Sequence, residues 1–244
     1  MRFRLLPADP TAQGARYDEF LIAAAAREGP SACIWEAAPS LVVPRTYQRF
    51  EHFAAVNEHF ANAGWPVIVR HSGGGIVPQG PGIANISLAY AVQGKPLNHS
   101  DRAYRLLCDI ISRALRPFGI AAHPQAVEGS FCDGRYNLAV GTGAQARKIA
   151  GTAQLWRRRP GSTDPDSQIV LAHALLLVDV DTDAVTAIAN RYEAALGSDK
   201  RYDSRRVTSI RQVLAESAIH AGDLMAGLKH ALAKEIDQEI AVGD

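Results

Sequence analysis

The chain has 244 residues, 26 Lys+Arg against 25 Asp+Glu and 47% hydrophobic residues; it can bury a full core but lacks the basic excess of a general nucleic-acid binder. No apolar run approaches the ~20 residues that span a bilayer, and Pro7 and Asp9 stop the opening MRFRLLPADP short of a signal-peptide core. Three cysteines at unrelated spacings make neither a disulfide framework nor a zinc pattern, so a soluble cytoplasmic protein without membrane, nucleic-acid or metal partners is expected.

Residues 17–27 (YDEFLIAAAAR) read as a helix that stops at Gly29-Pro30. CIWE (33–36) and LVV (41–43) are short strands separated by a Pro39-Ser40 turn. A helix over about 47–63 puts Phe50, Phe53, Val56 and Phe60 on one stripe, closed by Gly64. VIVR (67–70) is a strand that runs into the loop HSGGGIVPQGPG (71–82). Over 83–91 residues alternate, with Ile86, Leu88 and Tyr90 on one face and Asn85, Ser87 and Ala89 on the other. Ser100 is a candidate N-cap for a helix over 101–116. Strand candidates follow at 126–129, 136–140, 147–157 and 168–180, with the polar loop RRPGSTDPDS before the last. From 183 the pattern is helical: Val185, Ile188, Ala189 and Tyr192 form one apolar face, and Met225, Leu228, Leu232, Ile236 and Ile240 another. The order predicts an α/β (α+β) fold, a mixed sheet flanked by helices over 1–181, with a helical C-terminal portion, 182–244, packed on it.

Five glycines fall within 72–82. Glycine permits positive φ and lets backbone N–H groups approach a ligand closely, although a plain connection between strands would use the same residues. The segment is not a P-loop, because Pro81-Gly82 stands where Lys-Ser/Thr should follow. It is not a dinucleotide fingerprint either, since Pro78 takes the third glycine position and a strand follows.

Cys33 and Cys108 fall on apolar faces and read as core residues. Cys132 stands in EGSFCDGRYN between glycines and polar residues, the setting of a substrate-accessible loop. A thiol of ordinary pKa is only a few per cent ionised at neutral pH, so a nucleophilic cysteine needs a cation nearby. Arg147 and Lys148 lie across an expected hairpin of YNLAV and KIAGTAQ. His173 shares a strand face with Leu171, Leu175 and Leu177 and reads as a hydrogen-bonded core histidine. Arg157–Arg159 read as a solvated loop, with an acidic docking partner as the sharper alternative. Asn98, His99 and Asp101 suit a helix start better than a metal site.

Taken together, the segments resemble the lipoate–protein ligase/octanoyltransferase family, related to the biotin–protein ligases. VIVRHSGGGIVPQGPGIANISLAY is similar to that family's strand, Arg, Ser-Gly-Gly-Gly turn and following strand. GRYNLAV with RKIAGTAQLWRR resembles its second signature, a Lys before an Ile-Ala/Ser-Gly-Ser/Thr-Ala-Gln run, and HALLLVDVD resembles the next strand. The likeness extends over roughly 17–215. It implies the biotin/lipoate-ligase fold, with an acyl tunnel beside the glycine loop bounded by 67–70, 83–91 and 149–155. It implies transfer of an octanoyl or lipoyl group onto a lysine of a lipoyl-carrier domain: the glycine-cleavage H protein, a 2-oxoacid dehydrogenase lipoyl domain, or acyl carrier protein as a further donor. Lys148 matches the family's functional lysine. Substrate contacts are implied for Arg70, His71, Ser72, Gly73, Gly74, Gly75, Asn85, Tyr136, Asn137, Gly151, Thr152, Ala153 and His173.

The family holds two chemistries. Ligases activate a free acid with ATP and Mg; cysteine-dependent members need no cofactor and carry the acyl group as an enzyme thioester. Ser130-Phe131-Cys132-Asp133-Gly134-Arg135-Tyr136-Asn137-Leu138 matches the nucleophile segment Ser-Tyr-Cys-Pro-Gly-Ser-Tyr-Asp-Leu of the second kind. This resemblance favours a Cys132 acyltransferase, with an ATP-dependent ligase using Lys148 and a non-catalytic acyl- or carrier-binding module as alternatives. Asp133 replaces the pattern's Pro, and a like charge beside a forming thiolate is expected to raise its pKa.

Overall fold

The computed structural model describes residues 1–8, 15–216 and 223–241. In chain order the elements are β1 (Arg4–Leu5), α1 (Ala15–Glu28), β2 (Ser31–Trp35), β3 (Ser40–Pro44), α2 (Phe53–Asn62), β4 (Val67–Arg70), β5 (Val77–Gln79), β6 (Ile83–Gln93), α3 (Pro96–Leu115), β7 (His123–Pro124), β8 (Leu138–Val140), β9 (Arg147–Arg158), β10 (Ser167–Leu177), α4 (Thr182–Ala195), α5 (Ile210–Glu216) and α6 (Leu224–Gln238). They build a seven-stranded mixed sheet, β1-β2-β6-β10-β9-β8-β7, and a three-stranded sheet, β4-β3-β5.

The period-2 pattern of β6 decides how the layers stack. Its even residues, Ala84, Ile86, Leu88 and Tyr90, pack with Leu107 and Ile111 of α3 and Leu228, Leu232 and Ile236 of α6. From the other face, Ala89 joins Tyr17, Leu21 and Ile22 of α1, and Ile83 joins Val42 and Val77 of the small sheet. The candidate site lies in this second layer. Arg113 on α3 ties down α6 through Glu235 (2.7 Å) and Glu239 (2.5 Å). Ile188, Ala189 and Tyr192 of α4 pack on Leu41 and Val43 of β3 and on Ile76.

Several sequence expectations are corrected. The helix expected over 47–63 divides into a 3-10 turn, Arg45–Arg49, and α2. The 71–82 loop contains β5, which pairs with β3, so the strands at 67–70 and 83–93 belong to different sheets. No strand forms over 126–129; β7 precedes it and the segment turns toward Cys132. Helix α3 starts at Pro96, a residue suited to the first helical position because its missing N–H would be unpaired there anyway, and Ser100 Oγ donates instead to Gln154. Ile240 lies past the end of α6, 53% exposed, rather than on its apolar face.

Candidate active site

Between the large sheet, α1 and the small sheet lies a cavity of about 560 Å³, its open mouth included. Gly151, Leu175, Asn85 and Trp35 are register partners across β9, β10, β6 and β2, and all four line it. Three interstrand steps give a floor of about 14 Å. An extended eight-carbon chain measures about 9 Å from its ~1.5 Å C–C bonds, which leaves van der Waals clearance at both ends. Trp35 closes the β2 end, stacked on Tyr17 at 4.9 Å and donating from Nε1 to Ser87 Oγ at 3.4 Å. Asn85 and Gln79 exchange amide hydrogen bonds of 2.8 and 3.0 Å in the wall.

Cys132 occupies the β9 end. Among the described residues it is the sole non-glycine with positive φ, +49°, a conformation that costs roughly 1–2 kcal/mol for an L-residue. Here its carbonyl and that of Phe131 accept from Lys148 Nζ, at 2.9 and 2.6 Å, while Sγ accepts from the Gly75 N–H at 3.2 Å. Lys148 is 1% exposed, and it reaches this side through a bulge. Leu138 pairs with Ala150 but Ala139 with Lys148, so Ile149 is the extra residue and the alternation slips by one. The ammonium then lies where a side chain on Gly151 would go, 2.8 Å from that Cβ position.

Arg70, 4% exposed, braces the glycine loop. It donates to Gly73 O (2.8 Å), Gly75 O (2.7 Å) and Val42 O (3.1 Å), and its Nη2 stands 3.8 Å from Cys132 Sγ. Burial resists ionisation of the thiol, but the charges of Lys148 and Arg70 and the Gly75 N–H outweigh it, and the thiol pKa is lowered. Asp133, expected to raise the thiol pKa, does not prevent this lowering. Its carboxylate is turned to the Val127 N–H (2.8 Å) and Asn137 Nδ2 (3.2 Å), pinning the loop instead. Burial pushes Lys148 down to about 8, against the attraction of Cys132 and Asp133. Cys33 and Cys108, both 0% exposed, are pushed up to about 11 and about 12 by burial.

His173 Nε2 and Ser72 Oγ are hydrogen-bonded at 2.9 Å, and Nδ1 lies 4.0 Å from Asp18 Oδ1. Burial moves both groups toward neutrality: His173 falls to about 3, with Arg70 adding to the effect, and Asp18 rises to about 7 with Arg70 opposing. His173, Thr152 and Ala153 line the cavity. His71 does not line it; each ring nitrogen is 3.3 Å from a guanidinium, Arg45 on one side and Arg157 on the other. Tyr136 stacks on Tyr104 at 4.7 Å beside a separate shallow pocket with Asp101 and Arg135, and its carbonyl accepts from Thr152 Oγ1 at 2.9 Å. Asn137 supports the cysteine loop through Asp133.

Residues that sequence reasoning passed over complete the site. Asp18, Trp35, Val42 and Gln79 line the cavity. From the C-terminal portion, the Thr208 N–H donates to Lys148 O at 2.8 Å, the Asp203 N–H to Gly129 O at 2.8 Å, and Tyr202 packs on the same apolar cluster as Cys132. One of these carried a signal: Asp18 falls on the apolar face of α1, three residues before Leu21.

Residues 10–233 match the Lipoyl protein ligase A/B catalytic domain family. An uncharacterized protein of Cupriavidus necator is 48% identical over 228 residues, 91% of this chain and 90% of its own length. An octanoyl-GcvH:protein N-octanoyltransferase of Kyrpidia tusciae is 36% identical over 170 residues, 64% of this chain and 56% of that protein, so the match spans little over half of this relative. In fold the chain is similar to lipoate-protein ligase A bound with ATP (TM-score 0.64, 18% identity, 97% of this chain and 84% of that one). It is also similar to the bipartite lipoate protein ligase of Thermoplasma acidophilum (TM-score 0.61, 17% identity, 97% and 82%).

Proposed function

The chain belongs to the lipoyl protein ligase A/B catalytic domain family, and within it we propose an acyltransferase that carries an octanoyl or lipoyl group through a thioester on Cys132 to a lysine of a lipoyl-carrier domain. The observation that carries this reading is the thiol itself. It is half-buried at one end of a cavity of eight-carbon length, held by the Gly75 N–H and drawn toward ionisation by Lys148 and Arg70.

Cys132 Sγ attacks the carbonyl carbon of an acyl group presented by a carrier protein. The C–S bond forms, the bond from the acyl carbon to the carrier's nitrogen or sulfur breaks, and that leaving atom takes the proton given up by the thiol. The target lysine of a second carrier, entering as the neutral amine, then attacks the thioester. Its N–C bond forms, the C–S bond breaks, and the amine proton restores the thiol. The Gly75 N–H is the donor best placed for the oxyanion of both steps. Lys148, tied to two carbonyls, acts through its charge on sulfur and acyl oxygen rather than by approaching the leaving group.

Incubation with an octanoylated carrier and no ATP should add an octanoyl mass that hydroxylamine removes and Cys132→Ser abolishes. Loading of free lipoate that requires ATP and survives Cys132→Ser would establish the ligase chemistry instead. Acyl binding without any covalent species would establish a binding module.

A further inference from the structure

Behind the glycine loop lies a buried carboxylate that the transfer steps do not use. Glu193 on α4 is fully buried. Its Oε1 accepts from the hydroxyls of Tyr47 and, at 2.7 Å, Tyr202, and its Oε2 has no hydrogen-bond partner among the described residues. Tyr47 lies in the turn after β3 and packs in one buried cluster with Ile76. Tyr202 places its hydroxyl 3.8 Å from the point where a side chain on Gly75 would begin, and its ring packs in one cluster with Cys132. Lys200 Nζ donates to the Tyr47 hydroxyl at 3.4 Å.

A buried carboxylate with one oxygen unpaired is costly, and an apolar residue would continue the α4 stripe of Ile188 and Ala189 without that cost. What the carboxylate accomplishes is local. Gly73, Gly74 and Gly75 have no side chains with which to hold their own peptide planes, so the direction of the Gly75 N–H must be imposed from outside. Arg70 grips the carbonyls of Gly73 and Gly75 from one side. From the other side Tyr202, oriented by Glu193, sets its hydroxyl 3.8 Å from the point where a Gly75 side chain would begin, and Tyr47 packs in one cluster with Ile76.

We propose that Glu193, Tyr47 and Tyr202 are positioning residues for the acyl-transfer centre: their buried hydrogen-bond network, packed against Gly75 and Ile76, keeps that segment in place so that the Gly75 N–H points at Cys132 Sγ. None of the three touches substrate. The inference rests on the reading of Cys132 as nucleophile, and thiol alkylation tests it without any acyl transfer.

The experiment follows Cys132 alkylation by iodoacetamide against pH, with octanoyl loading in parallel, in the full chain and in Tyr47→Phe, Tyr202→Phe and Glu193→Gln. Both Phe variants should lower the alkylation rate at pH 7 by roughly fivefold while the limiting rate at high pH stays unchanged, because the thiolate fraction falls and not access to sulfur. Loading should lose kcat with little change in KM. Glu193→Gln, which still accepts from both tyrosines, should recover most of the loss. Unchanged profiles in both Phe variants would overturn the proposal, as would a loss confined to the limiting rate, the mark of general disruption. If Tyr47→Phe does not fold, Tyr202→Phe decides on the same readouts. A wild-type thiol that alkylates readily at neutral pH yet never accepts octanoate would defeat the acyltransferase reading and leave the positioning claim to the alkylation profiles.

Discussion

Gly74 has φ +106°, and a Cβ built on it would stand 2.6 Å from Cys132 Sγ and 2.9 Å from Arg70 Nη2. Ordinary contacts lie at about 3.5–4.0 Å, so in Gly74→Ala the sulfur must retreat by about 1 Å. That carries it out of hydrogen-bond reach of the Gly75 N–H, now 3.2 Å away, and away from Arg70. The backbone strain adds about 1–3 kcal/mol, a fall in Tm of about 2–12 °C for a chain of this size. The chemical effect is larger: losing one preorganised donor costs about 100-fold or more in rate, and the thiol pKa should climb toward the ordinary value of about 8.5. The assay pairs octanoyl loading, by mass spectrometry, with thermal unfolding. Gly73→Ala is the control, since its Cβ meets nothing within 4 Å and should cost no more than about 0.5 kcal/mol. Equal loading by the two variants would refute the claim that the glycine loop holds the sulfur.

Iodoacetamide at pH 7 should add a single adduct, on Cys132; modification of Cys33 or Cys108, buried and pushed up to about 11 and about 12, would contradict the burial described. Trp35→Ala should lengthen the chain preference, and kcat/KM for loading with C8 to C12 donors measures it; an unchanged preference would mean that the acyl chain does not follow the Gly151-to-Trp35 floor. Asp18, raised to about 7, contributes stability that is whole below about pH 4 and lost as pH rises through 7, whereas His173, lowered to about 3, contributes stability that is whole above about 6.5 and lost as pH falls through 3. Asp18→Asn should therefore leave a Tm that rises between about pH 3 and 6.5, and His173→Gln one that falls between about pH 4 and 7. Slopes of the reverse signs would refute the raised Asp18 and lowered His173 pKa values.

The chain itself announced what depends on local spacing. Alternation over 83–91 marked the two faces of β6, the glycine cluster marked the loop whose Gly75 N–H meets Cys132 Sγ, and the signatures around Cys132 and Lys148 marked two residues that the fold brings together. Those features repeat over two to four residues, a range on which side-chain direction is dictated by the backbone period. Tertiary structure decided what depends on pairs far apart in sequence. A one-residue bulge against β8 turned Lys148 toward the sulfur, Asp133 spent its charge on Val127 and Asn137, and β5 left the loop to join a second sheet. The cavity floor runs across four strands whose order no local pattern contains, and Glu193 meets Tyr47 across 146 positions. Such contacts form only once the layers close. Burial then sets which charges are felt, and that lies beyond the reach of any window read along the chain.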